Sequence, residues 1–181
     1  MKKILVIAAH PDDEFLGCGA SLLLYKKKGY QIKTIFLADG ESSRSMKIKK
    51  LKKNIELREK QALNVAKKSG FLNPIFKRLP DNSLDTVPFL KIVQLIEKEI
   101  NKFKPTTIFT HFENDLNLDH QLVYKAVVTA TRPLSKTFVK QIYCFETPSS
   151  TEFNFTKRQN KLFNPNLFLD VSKFIDKNIF I

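Results

Sequence analysis

The chain has 181 residues, of which 43% are hydrophobic and 27% are charged, so it suits one soluble globular domain over residues 1–181. No apolar run approaches a membrane span, and two cysteines provide neither a disulfide framework nor a Cys-x-x-Cys metal motif, so we expect a cytoplasmic protein with reduced, buried thiols. The net charge of +13 would suit a polyanion, but the lysines are spread along the chain without a nucleic-acid reading motif, so we expect no nucleic-acid partner and no membrane partner.

Short apolar runs alternate with amphipathic segments along the chain. The apolar runs predict strands over residues 4–8, 31–37, 74–77, 106–110, 138–145 and 166–170. The segments between them predict helices over residues 15–25, 54–69, 88–103 and 119–131. This alternation predicts an α/β fold with a doubly wound, mostly parallel sheet and right-handed crossovers.

Residues that can carry chemistry follow the ends of the predicted strands. The segment His10-Pro11-Asp12-Asp13-Glu14 follows the first strand, and His111 opens the loop after the 106–110 strand. Because parallel strands share their carboxyl edge, where α/β proteins bind ligands, all three histidines are expected on one rim. The acids expected there are Asp12, Asp13, Asp115 and Asp119. A divalent cation would neutralise such a cluster, which predicts a metal or catalytic site.

The residue types suit a catalytic zinc ion, which takes three protein ligands and keeps one position for water. His10 and Asp13 can turn inward from one turn, and His120 can supply the third ligand. Asp12 would then lie close enough to take a proton from the water, while Asp119 would orient an imidazole or a substrate group. Attack on an amide or ester carbonyl is the expected chemistry.

Competing interpretations of the first turn fail on spacing. Gly17-Cys18-Gly19 lacks the third glycine of a dinucleotide fingerprint, and no Gly-Lys-Ser/Thr phosphate loop is present in the sequence. Asp12 as a nucleophile in phosphoryl transfer is chemically feasible, but its neighbours His10 and Asp13 suit metal ligation better.

The same segments resemble the PIG-L/LmbE-like N-acetylglucosaminyl deacetylases. Residues 9–14 resemble the first signature of that family, and residues 110–111 with 115–120 resemble the second. Shorter segments, at 79–82, 131–133, 145–151 and 164–166, are similar to the bacterial branch associated with surface-sugar biosynthesis. The resemblance implies a Rossmann-like fold and a zinc-dependent hydrolase that deacetylates an N-acetylated amino sugar. We expect the sugar to be attached to a nucleotide or other anionic carrier, and the cofactor to be zinc or another divalent ion.

The resemblance also implies residue roles: zinc on His10, Asp13 and His120, and a general base at Asp12. Many relatives carry His-x-x-His in the second signature, where this chain has Asn117 in place of the first histidine. We therefore assign stabilisation of the oxyanion to Asn117 or to His111. A recycled Asp12, or else His111, would protonate the leaving amine.

Further expectations concern substrate contacts and the end of the chain. We assign the substrate contacts to Arg58, Asp115 and Arg132. The chain ends on the apolar residues 179–181 where relatives look longer, which indicates either a shortened C-terminal element or a subunit contact in a homo-oligomer. If a missing element normally closes over the substrate, the alternative is a catalytically silent relative that binds metal and sugar.

Overall fold

The computed structural model describes residues 2–44, 47–133, 139–148, 150–154 and 162–175. The strands within them are β1 Lys3–Ala8, β2 Gln31–Ala38, β3 Ile75–Leu79, β4 Thr107–His111 and β5 Gln141–Phe145. The helices are α1 Asp13–Lys27, α2 Ile48–Ser69, α3 Phe89–Phe103, α4 Leu118–Ala130 and α5 Ser172–Ile175. Two short 3-10 turns span Leu84–Thr86 and Thr151–Phe153.

The five strands form one parallel sheet in the order β3-β2-β1-β4-β5. The central strand β1 pairs with β2 on one side and with β4 on the other, so that Val6 lies opposite both Thr34 and Phe109. The chain order reverses between β1 and β4, which is where open α/β sheets form a ligand-binding crevice. The predicted α/β, doubly wound architecture is confirmed, and the sheet is wholly parallel.

Apolar layers cover both faces of this sheet. On one face, Ile7 and Ile108 pack in a cluster with Ile96 of α3 and with residues of α4. On the other face, Val6 packs with Leu22 of α1. Because both faces are buried, the central strands are continuous apolar runs rather than alternating ones.

Some predicted boundaries were wrong, for identifiable reasons. Helix α2 begins at Ile48 instead of residue 54, because its first turns carry lysines and no acid, so the apolar pattern starts late. Residues 166–170 form no strand, and there Phe168 is 79% exposed. Cys144 was expected to be buried, but it is exposed on β5 at the edge of the sheet, whereas Cys18 is buried. The apolar end at 179–181 lies outside the described residues.

A glycine sets the distance between α1 and the edge of the sheet. A Cβ atom at Gly17 would overlap the Phe145 ring and would lie 2.8 Å from the carbonyl oxygen of Glu146. The helix can therefore approach β5 this closely only because position 17 has no side chain. In the part of the chain that is described, no helix combines the length and the apolar character that crossing a bilayer requires.

Candidate metal centre

The tight turn after β1 brings one imidazole and two carboxylates to the carboxyl edge of the sheet. Helix α1 starts directly at Asp13, and Asp13 Oδ2 accepts a hydrogen bond from the backbone N–H of His10 at 2.8 Å. Asp12, between them, has a φ of 137°, a region that L side chains rarely adopt. Such strain is typical of functional turns, where the surrounding structure enforces an unfavourable conformation.

Three side chains from this turn and from α4 converge. His10 Nδ1 lies 3.4 Å from Asp13 Oδ2 and 3.4 Å from His120 Nε2, and the third side, His120 Nε2 to Asp13 Oδ2, is 3.5 Å. Ligand atoms placed tetrahedrally at about 2.0–2.1 Å from zinc lie about 3.3–3.4 Å from each other. The nearly equilateral triangle of buried donor atoms is therefore spaced to hold one small cation.

Two carboxylates hold the far side of His10. His10 Nε2 lies 3.0 Å from Asp81 Oδ1 and 3.2 Å from Asp119 Oδ2. Burial lowers the pKa of His10, but Asp119, Asp13 and Asp81 outweigh burial and raise this pKa to about 12 in the metal-free protein. Carboxylates on the non-ligating nitrogen fix the ring and its tautomer, as is usual for metal-binding histidines.

Asp115 supports His120 in a similar way. Asp115 Oδ1 lies 3.2 Å from His120 Nδ1, and the neighbouring carboxylates outweigh burial and raise the pKa of His120 to about 9. Asp115 is fully buried and also accepts hydrogen bonds from the hydroxyls of Ser150 and Thr151. Asp115 was predicted to contact the substrate, but in the structure protein donors surround this carboxylate.

His111 is fully buried beside the candidate ligands, with its Nε2 3.4 Å from Asp13 Oδ2. Its fully buried ring stacks on that of His120, with the ring centroids 3.8 Å apart. Its Nε2 accepts the backbone N–H of Ala9 at 2.9 Å, and its Nδ1 lies 3.4 Å from Thr147 Oγ1. Burial lowers the pKa of His111 to about 4, so the ring is neutral. Both roles predicted for His111 require contact with substrate, which this buried position does not offer.

The start of α4 carries Asn117 and Asp119. Asn117 is the N-cap, and its side-chain oxygen accepts the backbone N–H of Asp119 at 2.8 Å. Asp119 is fully buried and accepts the backbone N–H groups of Asn82 and Leu84, at 2.8 and 3.0 Å, while its Oδ2 lies near His10. Of the two roles predicted for Asp119, this geometry favours the orientation of an imidazole.

Asp12 is the carboxylate of the cluster that reaches solvent, with a side chain 40% exposed, against 6% for Asp13. Arg58 Nη1 donates to Asp12 Oδ2 and to the carbonyl oxygen of Pro11, both at 3.1 Å, and Arg58 Nε donates to Glu41 Oε1 at 3.0 Å. Burial and the charge of Asp13 raise the pKa of Asp12, although Arg58 opposes them. A cavity of about 120 Å³ is lined by Asp12 and Arg58.

One residue that was predicted for the site lies far from it, and two residues that contact the site were not predicted. Arg132 is exposed beyond the far end of α4, about 18 Å along the helix axis from His120, so within one chain it does not reach the centre. Asp81 and Glu41, which contact His10 and Arg58, were not assigned to the site. Both follow strand ends at the carboxyl edge of the sheet, and this signal could have identified them.

Comparisons with known proteins agree with this arrangement. The family model PIG-L, described as GlcNAc-PI de-N-acetylase, matches residues 5–131. The chain is 31% identical over 157 residues to the uncharacterized deacetylase YaiS of Escherichia coli strain K12, covering 82% of this chain and 76% of YaiS.

Solved structures show the same fold. GalB, the 4-carboxy-2-hydroxymuconate hydratase from Pseudomonas putida KT2440, matches with a TM-score of 0.74 and 22% identity over 98% of this chain and 75% of GalB. The N,N'-diacetylchitobiose deacetylase from Pyrococcus horikoshii matches with a TM-score of 0.68 and 18% identity over 80% of this chain and 60% of that protein. By the family match and by its identity to YaiS, the chain belongs to the PIG-L family of deacetylases.

Proposed function

We propose that this protein is a zinc-dependent hydrolase that removes the acetyl group from an N-acetylated amino sugar of the N-acetylglucosamine type. The observation that carries the proposal is the triangle of His10, Asp13 and His120, with the solvent-exposed carboxylate of Asp12 next to it in sequence. The family description and the deacetylase YaiS support cleavage of an N-acyl bond. The net charge of +13 favours a sugar attached to an anionic carrier such as a nucleotide.

The donor set favours zinc over other common divalent ions. Two imidazoles and one carboxylate at tetrahedral spacing are typical of catalytic zinc sites, whereas calcium and magnesium prefer oxygen ligands in larger numbers. When bound, a zinc ion supplies Lewis-acid activation of water and of the amide carbonyl. The protein contributes the fixed positions of the ligands, because Asp81, Asp119 and Asp115 hold the far nitrogens of the two imidazoles.

Asp12 acts as the general base in this proposal. Its carboxylate takes a proton from the attacking water while the new C–O bond forms at the acetyl carbon. When the C–N bond breaks, Asp12 returns that proton to the leaving amine, so the products are acetate and the free amino sugar. A raised pKa suits this double role, because the group must both accept and release a proton near neutral pH.

Asn117 stabilises the negative charge that develops on the former carbonyl oxygen. Its side chain lies at the start of α4 and is only partly buried, whereas His111, the other residue predicted for this role, is fully buried. An amide donates a hydrogen bond without carrying a proton that it can lose. Losing one such donor typically costs about 10²–10³-fold in rate.

The fold alone does not select hydrolysis, since the hydratase GalB has a similar fold. The match to a de-N-acetylase family and the sequence relation to YaiS both favour cleavage of an acyl group from nitrogen. Arg58 is our candidate for contact with the substrate, because it reaches the same cavity as Asp12.

The test uses protein stripped of metal and reloaded with zinc, incubated with N-acetylglucosamine, its 1-phosphate and its UDP-linked form. We expect free amine and acetate in equal amounts from at least one of these sugars. Asp12→Asn should reduce turnover by about 10²–10⁴-fold and keep the zinc, whereas His120→Ala should lose the zinc. Asn101→Ala, an exposed substitution on α3, is the matched control. Stoichiometric zinc without turnover of any of the three sugars would reject the proposal in favour of a catalytically silent binding protein.

A further inference from the structure

We propose that Asn82, in the loop after β3, is a positioning residue that fixes the amide of Asn117 for the reaction. The inference rests on the proposed function, since Asn117 acts in that reaction. The donors and acceptors around the Asn82 and Asn117 amides allow each amide only one orientation.

The two ends of the Asn117 amide are not interchangeable. Its oxygen accepts the backbone N–H of Asp119 at 2.8 Å, so the nitrogen must point away from the helix. There Asn117 Nδ2 donates to Asn82 Oδ1 at 3.0 Å. Because an amide nitrogen carries two hydrogens, this contact uses one of them and leaves the second for a ligand.

The orientation of Asn82 is fixed from its other side. Asn82 Nδ2 donates to Asp81 Oδ1 at 3.2 Å, and that carboxylate lies 3.0 Å from His10 Nε2. An ionised carboxylate only accepts hydrogen bonds, so Asn82 must turn its nitrogen toward Asp81 and its oxygen toward Asn117. The backbone conformation also suits asparagine, because Asn82 has a φ of 49°, in the left-handed region.

These contacts form a closed ring in which every link but one joins two side chains, the exception being the backbone N–H of Asp119 that donates to Asn117. The ring runs from His10 through Asp81, Asn82, Asn117 and Asp119 and returns to His10. Turning either amide over would place two donors or two acceptors against each other. The ring therefore holds a neutral hydrogen-bond donor, the Asn117 amide nitrogen, in one orientation.

The first test is a double-mutant cycle with zinc-loaded protein and the sugar that the wild type turns over. Asn82→Gly removes the amide but suits the positive φ, so the loop can keep its shape. We expect kcat to fall about 10-fold, with KM within about twofold and zinc content unchanged. In an Asn117→Ala background, Asn82→Gly should cause no further loss. If the kcat losses of the two single variants multiply in the double variant, or if Asn82→Gly loses zinc, the inference is overturned.

The second test does not depend on turnover. Nitrogen-15 NMR of the zinc-loaded protein should show one Asn117 side-chain amide proton shifted downfield by its hydrogen bond to Asn82, and this shift should be lost in Asn82→Gly. The control is Asn73→Gly, in the loop before β3 at the amino-terminal ends of the strands, and it should leave the Asn117 signals unchanged. Unchanged Asn117 signals in Asn82→Gly overturn the inference even in an active enzyme. Changed signals in a protein that turns over no sugar uphold the contact and reject the proposed function.

Discussion

Uptake of metal by the stripped protein should release protons, and its affinity should rise steeply with pH. Raised pKa values, about 12 for His10 and about 9 for His120, keep both imidazoles protonated at neutral pH in the metal-free protein. Metal binding requires both to be neutral, while Asp13 is already ionised because the surrounding imidazoles outweigh burial and lower its pKa. About two protons should therefore leave at pH 7, and the affinity should increase about 100-fold per pH unit.

Isothermal titration with zinc, in buffers that differ in ionisation enthalpy, counts these protons directly. Near pH 9 the number of protons released per zinc ion should fall to about 1.5, because His120 is then half deprotonated. Asp115→Asn removes the carboxylate beside His120 and should reduce the count at neutral pH toward one. The exposed substitution Asp85→Asn should leave it at two. Zinc uptake without proton release at neutral pH would show that the two imidazoles are already neutral and would refute their raised pKa values.

Without metal, the protein should be most stable between about pH 4.5 and 6.5, where two opposing effects of burial cancel: it lowers the pKa of His111 to about 4 and raises the pKa of Glu14 to about 8. The raised pKa values of His10 and His120 contribute stability that is fully present below the pKa of an unfolded histidine and is lost as the pH rises. The lowered pKa values of Asp81 and Asp115 contribute stability that is lost as the pH falls toward 2. Thermal unfolding with a chelator measures this optimum, and a Tm that increases above neutral pH would contradict it. Gly17→Ala should destabilise the fold by about 1–3 kcal/mol, because the added methyl overlaps Phe145; an unchanged urea midpoint would show that the helix can move away.

Much of the metal centre follows from one rule of sheet geometry. The carboxyl ends of parallel strands share an edge, so residues after β1 and β4 had to lie near each other once the strands were identified. This rule was enough to predict that His10, Asp13 and His120 approach one another. It does not specify which side chains in a loop point inward, and Asp81, after the weakly patterned strand β3, was therefore missed.

The position of His111 shows how a boundary error of one residue changes a side chain's role. The sequence pattern ended the strand at residue 110, which left His111 in a loop where it could face a substrate. In the structure β4 continues to His111, which pairs with Phe145 and lies on the same side of the strand as Phe109. Because side chains alternate between the faces of a strand, this extra residue directs the imidazole into the protein.

The carboxylates around His10 tie this imidazole to three separate parts of the chain. Asp13 begins α1, Asp81 lies in the loop after β3, and Asp119 lies in the first turn of α4. Each of these buried carboxylates lies within 3.4 Å of a His10 ring nitrogen. A substitution at His10 therefore leaves three buried carboxylates without their shared partner, so it should loosen the packing of these segments as well as any binding of metal.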